Sequence, residues 1–368
     1  MRGFHLLRQR IQRPALHLPR LSPPRIQFLS GTARCQMSSQ REDSIPHELR
    51  TAAEPRQNRL YPVRLSHVDQ VNPSVRLLQL AIPSQENPDE ESQPFTFMPG
   101  QWLDVHIPSI AQAGGFTITS TPADAQLLPL PEPQAEPLDG DTAEPSALPQ
   151  GRAPYVELAV QDSPANPSAA WLWKPKEEIL GKELNIRVGG SFVWPPTGIN
   201  THKIKNVVFI AGGVGINPLI SILSHLNTET QDAHRLNISF LYSTRLPQGH
   251  DAVISSSPLD QILFLPRLRQ IMRSQVHSRR LRISLDLFLT NDQSSASMDR
   301  VHDLRIQRRR INDDDLRSAV VGGDGKNDPQ DSVCYVCGPP AMTDETVRTL
   351  QAMLGENGAQ RIFYEKWW

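Results

Sequence analysis

Asn206-Val207-Val208-Phe209-Ile210-Ala211-Gly212-Gly213-Val214-Gly215-Ile216-Asn217-Pro218 decides the fold of this chain. Val207 to Ala211 is a short unbroken apolar run, as a strand covered on both faces requires. After the glycines, Ile216, Leu219, Ile220, Leu223 and Leu226 recur at helical spacing. The order is therefore strand, glycine turn, helix, and Pro218 suits the first helical turn because no backbone donor is missed there. Glycines at such a turn let a pyrophosphate approach the backbone, and the following helix directs free N–H groups and its positive dipole end toward it. Tight geometry alone would select the same residues. No Lys-Ser/Thr pair follows, which excludes a Walker loop.

Downstream, Ile238 to Tyr242, Ile262 to Leu265, Leu281 to Leu289 and Val333 to Cys337 read as further strands, with helices between most of them. Alternating β and α implies a parallel sheet with ligands at the carboxyl ends of its strands. The last of these strands runs into Cys337-Gly338-Pro339-Pro340-Ala341-Met342, where a helix from Met342 to Leu354 begins. Cys334 and Cys337 are three apart, so in a strand they point to opposite faces, which argues against a shared metal or a thioredoxin-type pair. Cys337, at the strand's carboxyl end, is placed either beside a nicotinamide or as a small buried apolar residue. Residues 291 to 332 lack hydrophobic periodicity and read as a surface insertion. Within it, Asp313-Asp314-Asp315 neutralises Gln307-Arg308-Arg309-Arg310, and Asn312 caps a helix.

Upstream the period changes to two. Val75 to Leu80, Leu103 to Ile107, Tyr155 to Val160 and Leu184 to Val188 alternate as half-buried strands. Pro99-Gly100, Gly114-Gly115 and Gly189-Gly190 punctuate them, and only a short helical stripe intervenes, around Ala169 to Trp173. This is the pattern of an antiparallel barrel or sandwich. Residues 123 to 154, rich in Pro, Ala, Asp and Glu, read as a second insertion.

The 368 residues carry 38 Lys+Arg and 39 Asp+Glu, a net charge of −1, without the cationic surplus of a general nucleic-acid binder. No apolar run approaches the roughly 18 to 20 residues needed to cross a bilayer. The three cysteines form neither a disulfide framework nor an iron–sulfur ligand set. The 33 prolines, about 9% against a typical ~5%, imply long loops. Up to Arg41 there is no Asp, Glu or Lys, whereas arginine recurs eight times, at 2, 8, 10, 13, 20, 25, 34 and 41. Residues 1–45 are therefore read as a mitochondrial presequence, most simply for the matrix; a disordered basic tail is the plain alternative.

An antiparallel barrel followed by a nucleotide fold that opens with Gly-Gly-Val-Gly-Ile-Asn-Pro and closes with Cys-Gly-Pro-Pro-Ala-Met resembles the ferredoxin-NADP reductase family. Pro99-Gly100-Gln101-Trp102, Gly115-Phe116-Thr117-Ile118-Thr119-Ser120-Thr121-Pro122, Asn166 to Trp171, Val188 to Phe192 and Glu365-Lys366-Trp367-Trp368 carry the same resemblance, which spans Tyr61 to Trp368. It implies an α+β chain of two domains: a flavin-reductase-type antiparallel β-barrel over 58–200, then an α/β parallel-sheet NAD(P)-binding domain over 201–368.

In similar reductases an Arg-x-Tyr-Ser motif holds FAD, and its positions here are Gly114, Gly115, Phe116 and Thr117. The resemblance implies that Phe116 stacks on the flavin, that Thr117 reaches its N5, and that Ile118 and Thr119 continue the contact. Phe116 would equally serve as core. Gly114 lacks the guanidinium for a phosphate, a contact worth about 1.5–3 kcal/mol. Asn166 and the backbone N–H groups of Ser168 and Ala169 match the pyrophosphate-binding turn of the family. On the other side, Gly212, Gly213, Val214, Gly215, Asn217 and Pro218 match the NAD(P)H pyrophosphate turn. Ser243 and Arg245 match the ribose contacts, with NADH or NADPH left open. Cys337, Gly338, Pro339 and Met342 match the turn beside the nicotinamide. Trp367 and Trp368 fall either against the flavin face or in a domain interface. The expected activity passes hydride from NAD(P)H to FAD, with Thr117 and Cys337 flanking the reacting atoms, and electrons to a separate, unidentified acceptor. The alternative is a catalytically inactive NAD(P)-binding module with an assembly or sensing role, which Gly114 and the insertion after Pro122 favour. No metal is expected.

Overall fold

The period-two stretches pair into one antiparallel sheet in the computed structural model, which describes residues 46–83, 94–127, 152–229, 235–247, 257–278, 280–291, 299–301, 304–322, 325, 327–355 and 358–367. A short helix α1 (His47–Arg50) precedes strands β1 (Tyr61–Asn72), β2 (Val75–Ala81), β3 (Trp102–His106) and β4 (Gly114–Thr117). Strand β5 (Tyr155–Gln161), helices α2 (Pro167–Leu172) and α3 (Lys176–Ile179), and strand β6 (Glu183–Gly189) complete the front half. The strand order is β4-β3-β6-β1-β2-β5. Its two edges meet where Ile118 bridges Leu158 and the Thr119 N–H donates to the Glu157 carbonyl at 2.8 Å, which closes the sheet into a barrel. Alternate residues share a face, so Leu65, Leu78, Leu80, Leu103, Ile118 and Leu158 all point inward and are fully buried. Burial of each contributes about 1.5–3 kcal/mol relative to exposure.

The back half contains β7 (Asn206–Gly212), α4 (Ile216–Thr228), β8 (Leu236–Thr244), α5 (Leu265–Ser278), β9 (Leu281–Leu289), β10 (Asp299–Val301), β11 (Leu304–Gln307), α6 (Asp313–Val321), β12 (Ser332–Gly338), α7 (Pro340–Leu354) and β13 (Ile362–Lys366). The sheet order is β10-β11-β9-β8-β7-β12-β13, parallel except for the edge strand β10. Strands β7 and β12 are buried at every position, which explains their unbroken apolar sequence. One face of the sheet packs on α4 and α5, and the other on α6 and α7. Among the described residues no helix is long and apolar enough to cross a membrane.

Three findings differ from the sequence expectations. Ile262 to Leu265 is not a strand: Phe264 has φ 59° and the segment turns into α5, with all four residues buried. A four-residue apolar run has no period of its own, so burial alone could not distinguish turn from strand. Second, part of the 291–332 stretch belongs to the sheet, because β11 pairs in parallel with β9 and buries Leu304 and Ile306, while α6 buries Leu316, Ala319 and Val320. With only two apolar residues in four, β11 depends on its neighbour for stability. Asn312 does cap α6, in a reciprocal box with Asp315. Third, the segment from Pro46 to Gln57, ahead of the expected barrel boundary at 58, packs on the barrel. The presequence residues 1–45 and most of the 123–154 stretch, 128–151, lie outside the described residues.

Barrel and parallel sheet are joined by polar contacts. Arg267 of α5 forms a two-pronged ion pair with Glu157 of β5 at 2.9 and 3.0 Å. Asn217 donates to the Ala159 carbonyl at 3.0 Å, Ser221 to the Ser120 carbonyl at 2.7 Å, and the Tyr335 hydroxyl to the Val193 carbonyl at 2.8 Å.

Candidate functional site

At the carboxyl ends of β7, β8 and β12 the chain forms the turns that build the site. Gly213 has φ 56°, a conformation costly for any residue with a Cβ, and starts the 3₁₀ turn Gly213–Gly215 that leads into α4. The neighbouring Cys337-Gly338-Pro339 turn is held by Thr343, whose N–H reaches the Pro339 carbonyl at 2.9 Å and whose hydroxyl reaches the Gly338 carbonyl at 3.1 Å. Trp367 clasps both turns: its backbone N–H donates to the Gly338 carbonyl at 3.2 Å and its indole N–H to the Gly212 carbonyl at 2.9 Å.

Two adjoining clefts open around these turns. The smaller, about 740 Å³, is lined by Gly212, Gly213, Val214, Ser243, Arg245, Pro339 and Met342 among others. The larger, about 940 Å³, lies between the barrel and the sheet, and Phe116, Thr117, Asn166, Ala169, Val214, Asn217 and Cys337 face it. Gln161, Val214 and Trp367 belong to both walls. The remaining expected residues stand elsewhere. Ile118 and Thr119 are fully buried, Ile118 in the barrel core and Thr119 with its hydroxyl on Glu157 at 2.7 Å. They close the barrel, which is why an extended run past Thr117 cannot also face the cleft. Gly215, Pro218, Gly338 and Ser168 support the walls from behind, and at Gly215 a Cβ would collide with the Cys337 carbonyl. Trp368 lies outside the described residues.

The Asn166 turn differs from its expected form. The Asn166 side chain itself accepts from the Ser168 and Ala169 N–H groups at 3.1 and 3.2 Å, so those donors are already engaged.

Several wall residues were not anticipated: His47, Arg50, Glu54, Trp102, Tyr364 and Glu365. Glu365 is the most consequential, because β12 and β13 pair Cys337 with Glu365 in parallel register, which puts both side chains on one face. Burial, with the Glu54 charge adding to it, pushes the Glu365 carboxyl up to about 8. Burial, with Glu365 adding to it, holds the Cys337 thiol well above its ordinary range. In the sequence Glu365 stood only as part of the ending Glu365-Lys366-Trp367-Trp368, an acid directly after the apolar run Ile362-Phe363-Tyr364, with no role attached to it. Cys334 faces the opposite side, among the residues packed on α6 and α7. Glu48, Asp104 and His106 come within 4.8 Å of one another, yet Asp104 is already paired with Arg56 and Arg187.

The residues fit a nicotinamide nucleotide and a flat ring system. Asn217 Oδ1 and Glu365 Oε2, both on residues of the larger cleft, are buried without a hydrogen-bond partner, so the wall presents polar atoms that a ligand would satisfy. The Nδ2 bond to Ala159 fixes which end of the Asn217 amide is free.

Residues 204–351 match the family model described as ferric reductase NAD binding domain. Oxidoreductase NAD-binding domain-containing protein 1 of Danio rerio is 31% identical over 324 residues, covering 88% of this chain and 97% of that protein. The Homo sapiens protein of the same name is 27% identical over 323 residues, covering 88% and 84%. Among solved structures, a ferredoxin NADP+ reductase from Neisseria gonorrhoeae with bound FAD and NADP superposes with TM-score 0.52 at 14% identity, covering 84% of this chain and 99% of that one. An Amycolatopsis cytochrome P450 reductase gives TM-score 0.52 at 17% identity, covering 85% and 70%. At such identities the structures speak for the fold alone. The sequence kinship over nearly the full length of the zebrafish protein goes further: the chain belongs to the oxidoreductase NAD-binding domain-containing protein 1 family, built on the two-domain ferredoxin reductase fold.

Proposed function

We propose that this chain is a flavin-dependent NAD(P)H oxidoreductase, with NAD(P)H in the smaller cleft and FAD in the larger. One observation carries the reading: the two clefts share Gln161, Val214 and Trp367, and Thr117 and Cys337 both face the larger one. When bound, the cofactors supply the chemistry, hydride from nicotinamide to flavin and then electrons to an acceptor. The chain binds, orients and excludes water. Gly212, Gly213 and Val214 bring backbone to the wall where a pyrophosphate would lie, and Ser243 and Arg245 face the region of a ribose, where Arg245 suits a 2′-phosphate. Phe116 and Trp367 offer ring faces, while Thr117 and Asn217 supply a hydroxyl and a fixed carbonyl oxygen. Glu365 keeps its proton at neutral pH and so can hold or release one beside Cys337, whose thiol stays neutral. The acceptor is a separate protein or small molecule. Residues 1–45 carry the chain to the mitochondrial matrix; a reporter bearing them that stays in the cytosol would overturn that part.

A second reading has its own observation: Gly114 offers no guanidinium and the Ser168 and Ala169 donors are engaged by Asn166, which favours an NAD(P)-binding module without flavin and with an assembly or sensing role. The visible spectrum of the purified full chain, followed by anaerobic NADH and then NADPH, separates the two. A flavin band near stoichiometric occupancy that bleaches supports the reductase, and the faster coenzyme reveals the part of Arg245. A colourless protein that binds NAD(H) but takes up no FAD leaves only the second reading.

A further inference from the structure

At Asn217 the barrel and the sheet meet on the wall of the larger cleft. The residue lies in the first turn of α4, two positions after Gly215, whose backbone is packed directly on the Cys337 carbonyl. Only 6% of it is exposed, and it faces the cleft together with Thr117, Ala159 and Cys337. Its Nδ2 donates to the Ala159 carbonyl at 3.0 Å. The reason for that bond lies in β5. Where the barrel closes, the Thr119 N–H donates to the Glu157 carbonyl. The Ala159 carbonyl, two residues on, points the same way but lies beyond the closing bridge of Ile118 and Leu158. The amide of Asn217 supplies the donor that a neighbouring strand would otherwise bring.

That bond fixes the orientation of the amide. Turned over, it would set Oδ1 against the Ala159 oxygen, acceptor against acceptor, so Oδ1 is the end left over. Oδ1 is buried without a hydrogen-bond partner, and an amide oxygen can only accept. Folded chains rarely leave such an atom unmet, so this one calls for a ligand that brings an N–H. Glu365 Oε2, also without a partner on this wall, makes no such one-sided demand, because a carboxyl that keeps its proton at neutral pH both donates and accepts. The position of Asn217 selects the ligand. The smaller cleft runs along Gly212, Gly213 and Val214, and Val214 belongs to both walls. A nicotinamide nucleotide whose pyrophosphate lies beside these residues sends its nicotinamide end past Val214, toward Asn217 and Cys337. The nicotinamide ring carries no N–H of its own, whereas its carboxamide carries two.

We propose that Asn217 Oδ1 accepts a hydrogen bond from the nicotinamide carboxamide, so that one side chain both brackets barrel to sheet and reads the reacting end of the coenzyme. This rests on the placement of NAD(P)H in the smaller cleft. It is tested by calorimetric titration of the full chain with three ligands: the better bound of NAD+ and NADP+, its 3-acetylpyridine analogue, and the matching ADP-ribose. The analogue replaces the amide NH2 by a methyl group, and the ADP-ribose lacks the ring. Wild-type protein is expected to bind the natural coenzyme about 3- to 10-fold more tightly than the analogue, the range for one hydrogen bond. Asn217→Leu should bring the two within about twofold of each other and leave the ADP-ribose unchanged. Asn217→Asp, which keeps an oxygen acceptor at the same place, should retain most of the preference. Equal wild-type affinity for coenzyme and analogue would overturn the assignment, as would a preference that survives in Asn217→Leu. Equal losses of all three ligands in both variants would make Asn217 a structural bracket alone and overturn it too. Wild-type protein that binds neither coenzyme nor ADP-ribose would instead remove the NAD(P)H reading itself.

Discussion

Glu365 holds a carboxyl where charge is disfavoured, with Oε2 out of solvent and its strand paired to Cys337. Its value is raised from 4.5 to about 8, so across that interval the folded chain keeps a proton that the unfolded chain releases. Stability from this group is therefore complete below about pH 4.5 and declines as pH rises toward 8. Glu365→Gln, neutral at every pH, removes the decline. Thermal midpoints should differ little at pH 5 and favour the variant by at least about 2 °C at pH 9. A constant difference at both pH values would show that Glu365 is ionised in the folded chain. At this scale the glycine turn and Cys337 were legible, because a buried strand ending in a special turn has a local signature. Glu365 was not, since its neighbour in the fold lies 28 positions away and only the β12 and β13 register joins them.

The elements differ in how much of their stability is their own. Strands β7 and β12 are apolar after their first residues, Asn206 and Ser332, so their burial was readable; β11 and the segment before β1 have no such pattern and are held by partners. The clearest case is the segment before β1, which Asp104 of β3 holds. Burial pushes its carboxyl upward, but hydrogen bonds from His47, Arg56 and Arg187 outweigh that and hold it well below the usual carboxylate range. The folded value lies below the ordinary 3.8, so its contribution is present above about pH 4 and is lost as pH falls further. Asp104→Ala leaves Arg56 and Arg187 facing a buried gap. It should cost about 3–5 kcal/mol in urea unfolding at pH 7, with the difference shrinking below pH 4. Limited proteolysis should then cut within 46–57 before any other described segment. A variant as stable as the wild type, with that segment still protected, would show that Asp104 is not the anchor.

For the whole molecule, the site exists only where barrel and sheet meet, and Glu157 and Arg267 are the principal charged link between them. Glu157 is almost wholly buried and also holds Thr119 at the barrel closure, so its loss acts on both halves. Glu157→Ala should lower stability by about 2–5 kcal/mol and weaken NAD(P)H binding, read as reduced quenching of Trp367 fluorescence. A change in stability with unaltered nucleotide binding would mean that the interface merely supports the fold. Strand period, the Gly212 to Pro218 turn and the Cys337-Gly338-Pro339 ending determined by themselves that an antiparallel barrel or sandwich precedes a parallel nucleotide sheet, because local periodicity reports which faces are buried. The tertiary structure alone decided that Ile118 and Thr119 close the barrel instead of facing the cleft, that Asn166 engages the donors of its own turn, and that Arg50, Trp102 and Glu365 share one wall with Cys337. Those facts depend on contacts between residues far apart in the chain, and no local pattern encodes them.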